Sequence, residues 1–303
     1  MPRLLICDQV EVEALSLGPS IAVDYRPSIS RDDLLSVVKD YDALIIRSRT
    51  KVDREVIDRG TRLKLIARPG TGLDNVDLDY ARSKGIQVVN SPESLVEAVS
   101  EHVMLLMLAL GRHLVLADET TRAGKWEKNA LIGRELRGKV LGIVGLGRIG
   151  RRIAEIANTL GMSVLVHDVI SIPPNVVKEL NCQVVGLDDV FKKSDYVTLH
   201  VPLTDQTRHM VNKERILEMK TGASIINTSR GGVIDEDSLA AALQAGRLGG
   251  AALDVFETEP PQGAILRAPN TILTPHIGGQ TEEARRNALA IIGQKVGSFF
   301  HKG

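Results

Sequence analysis

Short apolar runs alternate with amphipathic stretches along most of the chain. In the first third, runs rich in Leu, Ile and Val predict strands at 4–7, 21–23, 43–46, 64–67 and 87–89, with helices of 3.6-residue period at 31–39, 54–59 and 76–84. Strand–helix alternation reads as a parallel sheet, because each parallel crossover lays a helix on a face of the sheet. A stronger alternation begins at Lys139. It predicts strands at 140–144, 163–167, 183–185, 196–200, 224–227, 250–253 and 271–273, and helices at 149–160, 187–193, 213–218 and 236–245. Between the two lies one long helical stretch, 95–121, whose apolar positions Val99, Val103, Leu105, Leu106, Leu108 and Leu110 nearly surround the axis. Such a helix must be covered, by a domain junction or by a second subunit. An amphipathic helix at 281–300 is long enough to return to the first domain. The pattern predicts an α/β chain of two parallel-sheet domains, the usual number for 303 residues.

Composition narrows the function classes. Lys+Arg and Asp+Glu are both 38, so no general positive field exists to bind nucleic acid. Aromatic residues are 3%, too few for base-stacking platforms. Cys7 and Cys182 stand far apart in apolar contexts and show no zinc spacing, so both are expected to be buried thiols in a reducing compartment, with no metal. The N-terminus lacks a signal-peptide pattern, and the most apolar stretch, 103–110, falls short of the roughly 20 residues that span a bilayer. A cytoplasmic protein with no membrane partner is expected.

Gly145-Leu146-Gly147-Arg148-Ile149-Gly150 follows one predicted strand and opens a helix. A G-x-G-x-x-G turn in that context suits a dinucleotide: Gly145 for the tight turn, Gly147 for backbone approach to pyrophosphate, and Gly150 for helix–strand packing. Asp168 ends the next strand. A carboxylate there accepts the ribose hydroxyls of NAD and repels the 2′-phosphate of NADP. The ordinary alternative is a plain turn beside a surface acid.

Ligands of an open parallel sheet sit beyond the carboxyl ends of its strands. The segments placed there include Val201-Pro202, Thr228-Ser229-Arg230-Gly231-Gly232, the stretch from Asp254 to Pro260, and Thr274-Pro275-His276-Ile277-Gly278-Gly279. One Arg, at least one carboxylate and one His converge on that edge. This is the equipment for reversible hydride transfer at an alcohol or ketone. The His moves the proton, a carboxylate orients it, and the Arg grips a substrate carboxylate. Singly, each could instead be an ion-pair partner, a solvated acid or a turn residue. His102 and His200 read as structural.

Three segments make the chain similar to the D-2-hydroxyacid dehydrogenase family: G-L-G-R-I-G with Asp168; N-T-S-R-G-G-V-I-D at 227–235; and A-L-D-V-F-E-T-E-P at 252–260, followed by L-T-P-H-I-G-G at 273–279. The resemblance implies a Rossmann cofactor domain (97–281) inserted in a flavodoxin-like substrate-binding lid domain (1–96 and 282–303). It implies Arg230, Glu259 and His276 as catalytic residues, with Glu257 a near decoy. Cofactor contacts would fall on Thr71, Arg148, Ile149, Asp168, Val201, Thr228, Asp254, His276 and Gly278, with Ser229 and Gly279 beside them. NAD would be the cofactor, a small 2-hydroxy or 2-keto acid the substrate, and pairing through the cofactor domain would give a homodimer. Within the family the chain is most similar to the 3-phosphoglycerate dehydrogenases of serine biosynthesis, through I-I-R-S-R-T-K-V-D at 45–53 and A-R-P-G-T-G-L-D-N-V-D at 67–77. Arg47, Ser48, Arg49, Gly70 and Gly72 would then receive a doubly anionic substrate together with Arg230 and His276. Glyoxylate or hydroxypyruvate reduction is the alternative within this chemistry, and a non-catalytic NAD-sensing protein the alternative outside it. Leu95 stands where relatives often carry Asn. Because the sequence stops at Gly303, the serine-sensing domain of long phosphoglycerate dehydrogenases is expected to be absent.

Overall fold

Two wholly parallel sheets organise the computed structural model, which describes residues 1–301. The chain divides into two units, one built from Met1–Val96 and the segment from Gly279 onward, the other from Glu97–Gly278. In the first unit, β1 (Arg3–Ile6), β2 (Ala22–Tyr25), β3 (Ala43–Ile45), β4 (Leu65–Arg68) and β5 (Gln87–Asn90) lie in the order β2-β1-β3-β4-β5. Helices α1 (Arg31–Val37), α2 (Arg54–Arg59) and α3 (Leu78–Ser83) connect them. Ser30, Asp53 and Asp77 accept the N–H groups of Asp33, Val56 and Tyr80. These caps set where the helices begin; Asp77 starts α3 at residue 78, two residues later than the apolar pattern suggests.

Before the second sheet come α4 (Val96–Gly111) and α5 (Leu114–Arg122). The single helix expected over 95–121 is therefore broken. His113 adopts a left-handed backbone conformation, with φ of 50°. The Gly111 carbonyl accepts the Arg134 N–H at 2.7 Å. Nor is the apolar surface covered all round: Val103, Leu106 and Met107 are buried, while Leu105, Leu108, Leu114, Val115 and Leu116 are exposed. With the turn before it, 92–111 is long and apolar enough to cross a membrane by composition alone, yet 44% of it is buried within the protein.

The second sheet holds β6 (Val140–Val144), β7 (Ser163–His167), β8 (Cys182–Val184), β9 (Tyr196–Leu199), β10 (Ser224–Asn227), β11 (Gly250–Leu253) and β12 (Thr271–Leu273) in the order β12-β11-β10-β9-β6-β7-β8. Its connecting helices are α6 (Arg148–Thr159), α7 (Pro174–Glu179), α8 (Leu187–Lys193), α9 (Lys213–Glu218) and α10 (Glu236–Gln244). The pattern missed α7, a short helix opened by proline with only Val176 buried. Alternate strand residues feed opposite faces: Ile143, Val164 and Ile226 pack with α6 and α4, while Val144, Val197 and Ile225 pack with α8, α9 and α10. The order reverses between β6 and β9, the switch point at which doubly wound sheets take a ligand.

Helix α11 (Glu282–His301) belongs to the first unit, where Leu289, Ile292 and Val296 pack under Leu4, Ile6, Ile45 and Leu65. Cys7 is buried on the other face of that sheet, and burial pushes its thiol up to about 12. Cys182, expected to be buried, is half exposed near the sheet edge.

Candidate active site

The turn after β6 has the shape its glycines predict. Gly145 has φ of 94°, and a Cβ there would lie 2.4 Å from the His200 carbonyl oxygen. Gly147 caps α6 with no side chain on the helix end, and a Cβ at Gly147 would meet open space. The first N–H groups of α6, at Arg148 and Ile149, are thus left for an anion approaching the backbone. Asp168 Oδ2 accepts the Leu146 N–H at 2.6 Å and Oδ1 the Ile170 N–H at 2.9 Å. The carboxylate is fixed at the strand end and keeps lone pairs for hydroxyl donors. Beyond β10 the Thr228 hydroxyl is buried with no hydrogen-bond partner among the described residues, a donor open to a bound group. Open backbone, uncapped helix, oriented carboxylate and orphaned hydroxyl together fit a dinucleotide. Val201 packs between the turn and the core, its Cγ1 3.1 Å from the position a Gly145 Cβ would take.

His276 follows β12 in a left-handed conformation, φ 56°. Its Nδ1 lies 3.1 and 3.0 Å from the two carboxylate oxygens of Glu259. Both side chains are about half exposed, at 55% and 44%. The loop is held from below by Asp254, only 1% exposed. Asp254 Oδ1 accepts the Thr274 hydroxyl (2.6 Å) and the Ile277 N–H (2.8 Å), and Oδ2 accepts the Gly278 N–H (2.7 Å). His102 Nε2 stands 3.5 Å from the same carboxylate and 3.3 Å from the Thr274 hydroxyl. Burial pushes the Asp254 carboxyl up, but these hydrogen bonds outweigh it and hold the group below its ordinary value. Expected as a cofactor contact, Asp254 has both oxygens engaged by the His276 loop. Its burial and four donors make it the loop's anchor. His102 and His200 have the structural roles anticipated for them. His200 hydrogen-bonds the Thr198 hydroxyl, and burial pushes its imidazole down to about 3.

The turn after β10 is closed by Asn227. Its Oδ1 accepts the Ser229 N–H (3.0 Å) and hydroxyl (2.8 Å), and its Nδ2 donates to the Arg230 carbonyl (2.9 Å). Arg230, half-buried, donates from Nη1 to the Ser229 carbonyl at 2.6 Å. Gly231 then touches the segment leading to Glu259: a Cβ there would lie 1.8 Å from the Phe256 carbonyl carbon. Glu257 faces away from His276, toward His209 (3.1 Å) and the Glu236 N–H (3.1 Å). Glu259 is thereby separated from its decoy.

The first unit presents its own candidates. Beyond β3 the loop is held by Asp8, which accepts N–H groups of Arg47 and Thr50 and the Thr50 hydroxyl. Asn75 Nδ2 donates to the carbonyls of Arg47 and Thr50. Arg49, expected to meet substrate, pairs with Asp8 at 2.9 Å and donates to the carbonyls of Ile29, Cys7 and Pro27. Its guanidinium thus braces the loop while its side chain stays about half exposed, at 51%. Arg47 is half-buried, and its guanidinium has no hydrogen-bond or ion-pair partner among the described residues. Burial and the nearby Arg285 guanidinium push it below its ordinary value. Ser48 is exposed on the same loop. Gly70, at φ 123°, is pinned by hydrogen bonds with Ser91, and the carbonyl of exposed Thr71 accepts from Asn90. Gly72 is half-buried. Gly279 packs on Leu95, whose methyl carbons lie 3.2 Å from its Cβ position. Arg285, Asp8 and Asn75 were absent from the sequence-based set. An acid directly after the buried run L-L-I-C was the available signal for Asp8.

Strand order, glycine turn and imidazole–carboxylate pair define a dinucleotide-binding fold equipped for acid–base chemistry. The chain belongs to the D-isomer specific 2-hydroxyacid dehydrogenase family, whose NAD binding domain matches residues 104–278. It is 40% identical over 298 residues to a D-3-phosphoglycerate dehydrogenase of Synechocystis sp., covering 98% of this chain and 54% of that protein. It is 44% identical over 272 residues to a hydroxypyruvate reductase of Thermotoga maritima, covering 88% of each. The crystal structure of a glyoxylate reductase from Paecilomyes thermophila matches with a TM-score of 0.92 at 30% identity, over 100% of this chain and 96% of that one. The chain spans about half the length of the phosphoglycerate dehydrogenases it matches.

Proposed function

We propose that the chain is an NAD-dependent D-2-hydroxyacid dehydrogenase that interconverts 3-phospho-D-glycerate and 3-phosphohydroxypyruvate. The observation that carries the reading is the His276–Glu259 pair at the strand ends of the dinucleotide-binding sheet. Bound NAD supplies the hydride acceptor. Glu259 accepts the Nδ1–H of His276, so in the neutral ring Nε2 is left to take the substrate hydroxyl proton on oxidation and to return it on reduction. Arg230 offers the planar fork that grips a carboxylate and polarises the adjacent oxygen. A phosphorylated substrate is supported by Arg47, a half-buried guanidinium with a second one, Arg285, nearby: an anion there would relieve both desolvation and repulsion.

A second reading, reduction of hydroxypyruvate or glyoxylate, is favoured by the Thermotoga maritima relative, which matches over nearly the full length of both chains. Initial rates across these substrates with NAD(H) and NADP(H) decide between the two. Phosphoglycerate oxidation at least tenfold more efficient than that of unphosphorylated acids supports the first; fast glyoxylate turnover with none on phosphoglycerate rejects it. His276→Ala should lower kcat by about 10²–10⁴ while sparing NAD binding, and unchanged turnover would remove His276 from the chemistry.

We also propose a homodimer through the cofactor unit, and a cytoplasmic location consistent with two free thiols. Exposed Leu105, Leu108, Leu114, Val115 and Leu116 on α4 and α5 are the support for pairing. Light scattering at micromolar concentration should give twice the chain mass of 32.9 kDa, and the single-chain mass would contradict it.

A further inference from the structure

Glu259 hydrogen-bonds His276 from an exposed loop, and the features that fix this loop lie upstream of it. Phe256 is buried in the core, and the Phe256–Glu257 backbone rests against Gly231. The next residue along makes a reciprocal pair. Glu236 Oε1 accepts the Glu257 N–H at 2.6 Å, and Glu257 Oε1 accepts the Glu236 N–H at 3.1 Å. Glu236 is the first residue of α10, so the Glu257 carboxylate also satisfies an end group of that helix. Glu257 Oε2 meets His209 Nε2 at 3.1 Å, and the His209 N–H donates to the Gly232 carbonyl at 2.8 Å.

We infer that Glu236 and Glu257 form a clamp that positions Glu259 behind His276, making both of them positioning residues for proton transfer. The pairing is costly in charge, which argues that geometry maintains it. Burial, with the negative charges of Glu257 and Asp237, pushes the Glu236 carboxyl above its ordinary value. Two neighbouring glutamates without such a tie would separate. Two carboxylates persist together here because each accepts the other's backbone N–H. That fixes residue 257, only two residues from the acid that meets the imidazole. The inference rests on the acid–base reading of His276 and Glu259.

The test is hydroxypyruvate or phosphohydroxypyruvate reduction with NADH, using whichever keto acid the wild type turns over faster. Glu236→Ala removes the acceptor for the Glu257 N–H. Turnover should fall about tenfold, as expected for a reacting group displaced by a fraction of an ångström. The NADH Michaelis constant should stay within about twofold, and the solvent deuterium effect on kcat should rise. Glu236→Gln keeps a carbonyl acceptor and should restore kcat to within about twofold. Wild-type kcat and isotope effect in E236A, with only a lower melting temperature, would overturn the clamp. Should E236A not fold, Glu236→Asp, which retracts the acceptor by one methylene, is scored the same way. Glu259→Gln is assayed in parallel. If it retains full turnover, the acid–base reading fails; if it loses turnover while E236A does not, only the clamp fails.

Discussion

Asp8 and Asp254 hold matching places in the two sheets. Each lies just past a strand end, each is buried, at 3% and 1% exposure, and each fastens the loop that follows a neighbouring strand. Adjacent parallel strands end at similar heights, so a short carboxylate beyond one reaches the backbone beyond the next. Asp8 past β1 holds the loop after β3, and Asp254 past β11 holds the loop after β12. They differ in what else they take. Asp8 pairs with Arg49 at 2.9 Å, one of the two arginines on the loop it holds, while half-buried Arg47 has no ion pair among the described residues. Asp254 is met by backbone and hydroxyl donors of its loop, with His102 of α4 at 3.5 Å, and makes no ion pair with a side chain of that loop among the described residues. His276 is left entirely to Glu259. The same kind of anchor therefore takes an ion pair from its loop in the first unit and only backbone and hydroxyl donors from its loop in the second.

Paired substitutions sharpen this contrast. Asp254→Asn sets an amide donor against the N–H groups of Ile277 or Gly278, and a buried donor left unsatisfied costs about 1–3 kcal/mol. The expected result is a loss of about 10²-fold in kcat with a much smaller change in the NAD dissociation constant. The reverse, weak NAD binding at normal kcat, would make Asp254 a cofactor ligand. Asp8→Asn loosens Arg49 and the Arg47 loop. It should raise the Michaelis constant of an anionic substrate several-fold at unchanged kcat, and a kcat effect without a Michaelis effect would erase the distinction between the anchors.

The smallest effect at neutral pH concerns His200. Its folded value of about 3 lies below its ordinary 6.5. Between those values the unfolded chain binds a proton that the folded one does not, so stability falls as pH falls through that window. The loss is up to about 1.4 kcal/mol per pH unit. Urea midpoints at pH 7 and pH 5 should fall further in the wild type than in His200→Asn, and equal slopes would refute the assignment.

Periodicity made the two sheets legible, because the inner strands β1, β3, β4, β6, β9, β10 and β11 are runs buried on two faces, while β2 and β8 at the edges are part exposed. The glycine turn and Asp168 were legible from their strand–turn–helix context, and parallel topology pointed to one Arg, one His and at least one carboxylate at the strand ends; the family resemblance, not the topology, singled out Glu259 from Glu257, and the structure places Glu259 against His276. The break at His113 was hidden: the apolar positions continue through it, and the Gly111 carbonyl at the helix end is taken by a distant partner, the Arg134 N–H. The partners of Arg49 were hidden for a similar reason, since a charged side chain on a loop carries no mark of which distant carboxylate or carbonyls it will meet. Asp254 could be read as a strand-end acid, but only its four donors show that it serves the loop.

The absence of a side chain at Gly231 reaches further than packing. The Arg230 turn and the Phe256–Glu257 segment meet backbone to backbone, so nothing compressible lies between the turn that carries the proposed substrate-binding arginine and the segment that leads to Glu259. An engineer reshaping substrate preference must treat these two loops as a single rigid part. Libraries that randomise Arg230's surroundings without holding position 231 as glycine will be filled with variants whose acid has moved as well.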